Sequence, residues 1–373
     1  MKGRRPRPLD DGDSGEVRVS GHLSRTKPIN KIGAISTPRK IVQQLPTMAI
    51  ISNCTASVIQ DAAASLIAGN LVAFPTETVY GLGADATNEK AVARIYQVKG
   101  RPADHPLIVH ISSVMQLDKW ASEIPAYVIK LARSFWPGPM TLILPRTELA
   151  KDFITGGQNN VGIRVPAHTV ALALLNAFED QGGQGIAAPS ANRFGKVSPT
   201  SAGDVEAELS DFLSKDDLVL DGGPSAIGVE STIIDCTQGT PTILRPGAIT
   251  AVMINQLLDI SIKTITNTSS NQIKASGLLE SHYAPLAKVY LAGTPMPGDG
   301  FIALDGLPTP DGAVRLASPA NNEDYAKILY QSLRLADSKK LDNVFVIPPN
   351  GDDIAVAICD RLKKACISTT KFR

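Results

Sequence analysis

Residues Leu71 to Arg101 read LVAFPTETVYGLGADATNEKAVARIYQVKGR, and this stretch decides the fold class. Four apolar residues, Leu71-Val72-Ala73-Phe74, open it as a buried strand does. A polar turn, Pro75-Thr76-Glu77-Thr78, and a Tyr80-Gly81-Leu82-Gly83 loop follow. Asn88 is a suitable N-cap for a helix over 88–98. The helix runs into Lys99-Gly100-Arg101. Two cations separated by one glycine make a compact anion site, because Arg grips phosphate or carboxylate oxygens bidentately and Lys adds a point charge.

The strand-to-helix alternation continues on both sides. Helices are expected at 56–68, 88–98, 124–135, 168–178, 201–210 and 249–258, with Ser201 as a second N-cap. The first carries Val58, Ala62 and Leu66 at helical spacing. Strands are expected at 71–74, 107–111, 140–145, 161–165, 185–188, 217–220 and 231–236. The fold class is therefore α/β, a twisted mixed sheet with flanking helices, over residues 48–260. Residues 261–288 are Ser/Thr/Asn-rich and read as a linker. Residues 289–373 read as a smaller, Rossmann-like α/β unit without a phosphate loop. Its strands begin at Lys288, Phe301 and Val344. Tyr325, Ile328, Leu329, Leu333 and Ala336 form the apolar face of one helix, and Asp353 to Lys364 forms another.

Bulk properties exclude several classes. With 373 residues, two domains are the prior. No apolar run reaches ~18 residues, so no membrane span is expected. The four cysteines (Cys54, Cys236, Cys359, Cys366) form no Cys-x-x-Cys pair, which argues against structural zinc and for reduced thiols in the cytoplasm. The five histidines lack metalloprotease spacing, and no metal ligands are expected. Residues 1–47 hold ten Lys/Arg and four Asp/Glu, leaving a net −5 on the rest. That body offers no broad basic surface for nucleic acid. The tail reads as disordered, with Met48 as an alternative start. No secretory signal is visible, and Asp10, Asp11, Asp13 and Glu16 disfavour a transit peptide.

Gly81-Leu82-Gly83-Ala84-Asp85-Ala86 nearly matches a dinucleotide fingerprint, but six residues, Pro75 to Tyr80, separate strand from glycine, and the helix starts late. No P-loop occurs either. Polar groups instead gather where strands end. Thr76 and Thr78 follow the first strand. Ser190 and Asn192 follow Ile186-Ala187-Ala188; without a local base, Ser190 suits phosphate binding better than nucleophilic attack. Arg164 lies inside Val161-Gly162-Ile163-Arg164-Val165 and needs either a carboxylate of the chain or a ligand carboxylate. His110 ends Leu107-Ile108-Val109, and Arg245 ends another apolar run. Glu230-Ser231-Thr232 adds hydroxyls. Five such constellations point to one ligand crevice.

Taken together, FPTETVYGLG, KGRP, PLIVHI, WPGPMTLIL, VGIRVP, APSAN, GVESTIID and ILRPG resemble the Sua5/YrdC family, in order, over about residues 56–250. The His282-Tyr283-Ala284-Pro285 segment and the extra α/β unit resemble the two-domain Sua5 form. The resemblance implies a YrdC-like fold and threonylcarbamoyl-AMP synthase activity. L-threonine, bicarbonate and ATP, with Mg²⁺ carried by the triphosphate, would give L-threonylcarbamoyladenylate and pyrophosphate. A separate transferase complex would then form N6-threonylcarbamoyladenosine on tRNA, with at most weak tRNA contact by this chain, which is expected to be a monomer. By the family's pattern Lys99 and Arg101 are catalytic and, with His105, Asn160, Ser190, Asn192, Ser198, Arg245 and Tyr283, bind ATP. Thr78, His110, Arg164, Ala188 and Ser231 would hold L-threonine. His105 stands where several members have Asn, and Asn160 where some have Thr. Around Ala275-Ser276-Gly277-Leu278 the linker lacks the Pro-Gly pair of other two-domain members; by resemblance the linker covers the active site. Two rivals remain at this level. One is an RNA-binding or regulatory module, opposed by the acidic body and an aromatic content of 5%. The other is a hydrogenase-maturation type of carbamoyl chemistry, opposed by the lack of zinc-finger cysteine pairs.

Overall fold

Val72–Phe74 has no polar face because both sides of its strand are covered, as in the interior of an α/β sheet. The structure, a computed structural model, describes residues 49–51, 53–264, 274 and 283–366. The basic tail and most of the linker, including His282, lie outside the described residues.

The N-terminal part runs β1 (Ala49–Ile51), α1 (Ala56–Ile67), β2 (Val72–Phe74), β3 (Gly81–Asp85), α2 (Glu89–Lys99), β4 (Ile108–His110), α3 (Leu117–Trp120) and α4 (Ala126–Phe135). It continues through β5 (Met140–Pro145), α5 (Asp152–Thr155), β6 (Asn160–Arg164), α6 (Thr169–Asp180), β7 (Ile186–Ala187), α7 (Ala202–Leu209) and β8 (Leu218–Leu220). β9 (Thr232–Asp235), β10 (Thr242–Arg245), α8 (Ala251–Leu258) and β11 (Lys263–Thr264) complete it. Its strands form one mixed sheet in the order β1-β8-β2-β3-β7-β4-β6-β5-β9-β10-β11. The C-terminal part is β12 (Lys288–Tyr290), β13 (Gly300–Ile302), β14 (Val314–Ala317), α9 (Asn322–Ser338), β15 (Asn343–Val346) and α10 (Ala355–Ala365). Its sheet, β12-β15-β13-β14, is parallel throughout.

Local chemistry places the elements. Ile59, Ala62, Ala63 and Leu66 of α1 are buried at helical spacing and share a core cluster with Ala171, Leu174, Leu175 and Phe178 of α6. Asn88 caps α2, its Oδ1 accepting from Lys90 N and Ala91 N at 3.1 and 3.2 Å. Ser201 and Asp204 form a capping box on α7. Gly100 ends α2 in the left-handed region at φ 61°.

The loop expected at Tyr80-Gly81-Leu82-Gly83 is corrected: Gly81–Asp85 is a strand antiparallel to β2, with Val72 opposite Gly83 and Phe74 opposite Gly81. Glycine is weak evidence for a strand, but here it is sterically required. A Cβ on Gly83 would meet Ile186 Cγ2 and Phe74 Cε1 at 2.8 Å and Val72 O at 3.0 Å. The sequence also leaves out β1, β10, β11, β14 and the short helices α3 and α5. Gly83→Val should destabilise the protein by about 1–3 kcal/mol through overpacking, read as a lowered urea midpoint at unchanged slope.

Candidate functional site

Eight chain segments bring polar groups to one place: the β2–β3 loop, Arg101 just after α2, the C-terminal ends of β4, β6 and β10, the turn after β7, the entry to β9, and Tyr283 beyond the linker. They enclose a cavity of about 50 Å³. Ile108 is shared with a second space of about 20 Å³, lined also by Asn160 and Lys274.

Thr78, His110, Arg164, Ala188 and Ser231, the whole expected L-threonine set, line the first cavity. Arg164 pairs with a carboxylate of the chain. Its Nη2 lies 2.7 Å from Glu77 Oε1, and it still faces the cavity. Glu77 is itself fixed, accepting from Ala167 N at 3.0 Å. Thr76 and Thr78 join hydroxyls at 2.8 Å, which closes the turn. Ser231 Oγ is 2.8 Å from Thr141 Oγ1 and accepts from Arg245 Nη2 at 3.1 Å. His110 is buried, with Phe74 edge-on at 6.0 Å and Nδ1 without a hydrogen-bond partner among the described residues. Burial foremost, then the Arg164 guanidinium, pushes its pKa down to about 3, so the imidazole is neutral at pH 7.

The expected ATP set divides by position. Arg101, Ser190, Arg245 and Tyr283 line the cavity. Lys99, Asn192 and Ser198 lie outside the cavity lining. The Lys99 ammonium donates to Ser190 O and Asn192 O, both at 2.5 Å, and so braces the Ser190–Asn192 turn. Burial, and next the neighbouring Arg101, push its pKa well below that of an ordinary lysine. Asn192 Nδ2 donates to Arg193 O and Lys196 O at 2.8 Å, while its Oδ1 has no hydrogen-bond partner among the described residues. Ser198 Oγ donates to Glu230 at 2.6 Å. His105 is outside the cavity, edge-on to Phe194 at 5.4 Å, and Asn160 borders the smaller space. Among the described residues no cluster of three His, Cys, Asp or Glu could hold a metal, and no helix is long and apolar enough to cross a membrane.

This arrangement is matched by known proteins. A family model described as "Telomere recombination", that of the Sua5/YciO/YrdC proteins, matches residues 64–247. A second, "Threonylcarbamoyl-AMP synthase, C-terminal domain", matches residues 249–366. A threonylcarbamoyl-AMP synthase of Pyrococcus abyssi is 40% identical over 82% of this chain and 93% of its own length. The Bacillus subtilis protein of that name is 38% identical over 82% of this chain and 92% of its own. The chain belongs to the Sua5/YrdC family. A solved P. abyssi Sua5 structure, described as complexed with L-threonine, aligns with TM-score 0.77 at 38% identity, covering 85% of this chain and 97% of that one. The two matched models make the chain a two-domain Sua5-type member, as the motifs imply.

Some site residues of this Sua5-type chain escape a reading of the sequence. Glu77 was visible only as part of a polar turn, although a charge beside a buried strand end signals a partner. Glu230 is a buried carboxylate on the cavity wall. Its partners, Tyr330 and Arg361, come from the C-terminal helices. Arg361 left one trace: it sits on the apolar stripe of α10, between buried Ile358 and Leu362.

The neutral His110 has a pH consequence. Its folded pKa, about 3, lies below the unfolded value, so its stabilisation is full above pH ~6.5 and is lost as pH falls toward 3. Between pH 8 and 5 this one group should remove about 2 kcal/mol of stability. Denaturant titrations at both pH values should show His110→Gln losing correspondingly less than the wild type.

Proposed function

We propose that the chain condenses L-threonine, bicarbonate and ATP into L-threonylcarbamoyladenylate and pyrophosphate, as a two-domain threonylcarbamoyl-AMP synthase. The observation that carries this reading is the single cavity in which the complete amino-acid set meets Arg101, Ser190, Arg245 and Tyr283. Support comes also from the P. abyssi relative, described as complexed with L-threonine.

In this reading Arg164 takes the threonine carboxylate, with Glu77 fixing the guanidinium plane. The neutral His110 and Thr78 take the hydroxyl end, and Ser231 lies beside the amine and its carbamate. The amine nitrogen bonds to the bicarbonate carbon with loss of water. A carbamate oxygen then attacks the α-phosphorus, the bond from that phosphorus to the bridging oxygen breaks, and pyrophosphate leaves. No enzyme nucleophile is required. The work is positioning and neutralising charge as pyrophosphate departs. Arg101 and Arg245 supply charge at the cavity. Lys99 and Asn192 act by holding the Ser190 turn in shape. Ser198, Asn160 and His105 complete the nucleotide surroundings at greater distance. Mg²⁺ enters with ATP as part of the substrate, held mostly by phosphates and water. Tyr283, at φ 63°, is a non-glycine residue in the left-handed region, and it lines the cavity. The product would pass to a separate transferase complex acting on tRNA, in the cytoplasm.

Pyrophosphate release should require both L-threonine and bicarbonate, with L-serine as the control amino acid. Release without threonine, or none from a folded ATP-binding protein, would overturn the reading. Arg101→Ala should lower kcat/KM by about 10²-fold. Arg164→Lys keeps the charge but loses the fork, and should raise the KM for L-threonine about 10-fold with a smaller effect on ATP.

A further inference from the structure

Glu230 sits on the cavity wall just before β9, 6% exposed. Its carboxylate is approached from two sides. From the catalytic part, Ser198 Oγ donates to Oε1 at 2.6 Å. From α9, the Tyr330 phenol oxygen lies 3.1 and 2.9 Å from Oε1 and Oε2. From α10, Arg361 Nε donates to Oε2 at 2.7 Å, and Nη2 donates to Glu230 O at 3.3 Å. Arg361 is 1% exposed, and its guanidinium carbon lies 5.5 Å from the centre of the Tyr283 ring. Tyr283 stacks on Tyr330, ring centres 5.8 Å apart. The remaining Arg361 nitrogen, Nη1, meets Asp360 at 2.6 Å, which Lys364 shares.

A buried carboxylate must be ionised beside a cation or be neutralised by a proton. Burial by itself would raise the Glu230 pKa; Arg361 first, then Arg245, hold it down to about 2. Arg245, the second cation acting on Glu230, is itself part of the cavity lining. Arg245 donates to the carbonyl and hydroxyl of Ser231, the residue next to Glu230, at 3.0 and 3.1 Å, so without Arg361 the cation left beside the carboxylate is one that lines the cavity.

We propose that Arg361, with Tyr330, is a positioning residue of the ATP site: from the C-terminal unit it engages Glu230, so that the carboxylate does not compete with ATP phosphates for Arg245. The C-terminal unit thereby tunes the charge of the cavity without touching substrate. This inference rests on the ATP-dependent reading above.

The test is calorimetric affinity for ATP and for L-threonine, measured separately on the full chain. Arg361→Met should weaken ATP binding at least ~10-fold and change L-threonine binding less than ~3-fold. Adding Glu230→Gln to Arg361→Met should recover most of the ATP affinity, because no carboxylate remains to capture Arg245. Unchanged ATP affinity in Arg361→Met, or a loss that Glu230→Gln does not recover, overturns the proposal in favour of simple packing. Should Arg361→Met fail to fold, Tyr330→Phe removes both phenol contacts with Glu230 and keeps the ring stack. It should weaken ATP binding at least ~3-fold, and unchanged affinity there overturns the proposal equally. Wild-type protein that binds ATP but releases no pyrophosphate would sink the synthase reading and leave the positioning test intact. Wild-type protein that binds no ATP would sink both.

Discussion

Crowding buried cations around one cavity is the constraint on which this structure turns. Arg101, Arg164 and Arg245 line one small space, and Lys99 lies close behind. Burial alone lowers the pKa of Lys99, Arg101 and Arg245, and mutual repulsion adds to it. Such a site is stable only if each charge has a fixed counterpart. Glu77 supplies one for Arg164, and the Ser190 and Asn192 carbonyls take the Lys99 ammonium. Ser231 holds Arg245 through both its carbonyl and its hydroxyl. The carbonyl and hydroxyl partners of Lys99 and Arg245 fix these groups in place without cancelling positive charge.

The sheet provides the geometry. Its mixed order places the ends of β4, β6 and β10, the turn after β7 and the entry to β9 around one opening, though they are far apart in the chain. Gly83 lets β3 pack tightly against Phe74 and Ile186, and the turn at Ser190 bridges to Gly81 beside it. Gly100 turns the chain sharply so that Lys99 and Arg101 diverge, one bracing the loop and the other facing the cavity. A pair separated by one glycine in sequence therefore points two ways.

The smaller sheet adds more than bulk. Tyr330 and Arg361 leave its helices to meet Glu230, and Arg334 of α9 contacts Glu208 at 3.3 Å and the carbonyl of Val197. Midway along the linker, Lys274 exchanges two hydrogen bonds with Gln158 and pairs with Asp104 at 2.7 Å. These contacts tie the C-terminal unit to Glu230 on the wall of the first cavity and hold Lys274 beside the second.

Most long helices and central strands were legible because burial imposes a period that the sequence must carry: α1, α2, α4, α6, α7 and α8 fall within two residues of the expected spans. The cavity-facing groups were legible for a related reason. A cation or imidazole ending an apolar run, as at Arg164, His110 and Arg245, has no explanation in packing and so marks a partner. Which partner is a different matter. That Arg164 pairs with Glu77 and yet faces the cavity depends on two loops meeting in space. That Lys99 turns to backbone carbonyls depends on a turn ninety residues away. Strand β3 was hidden because glycine lowers strand propensity, and only its close neighbours reveal why glycine is needed there. The sequence by itself determined the α/β class, the family and the list of chemically capable residues, since these follow from local periodicity and residue type. Tertiary structure alone decided which of them share a cavity, which brace it, and that a helix of the C-terminal unit holds its buried carboxylate, since charge balance in a buried site is settled by distance and not by order along the chain.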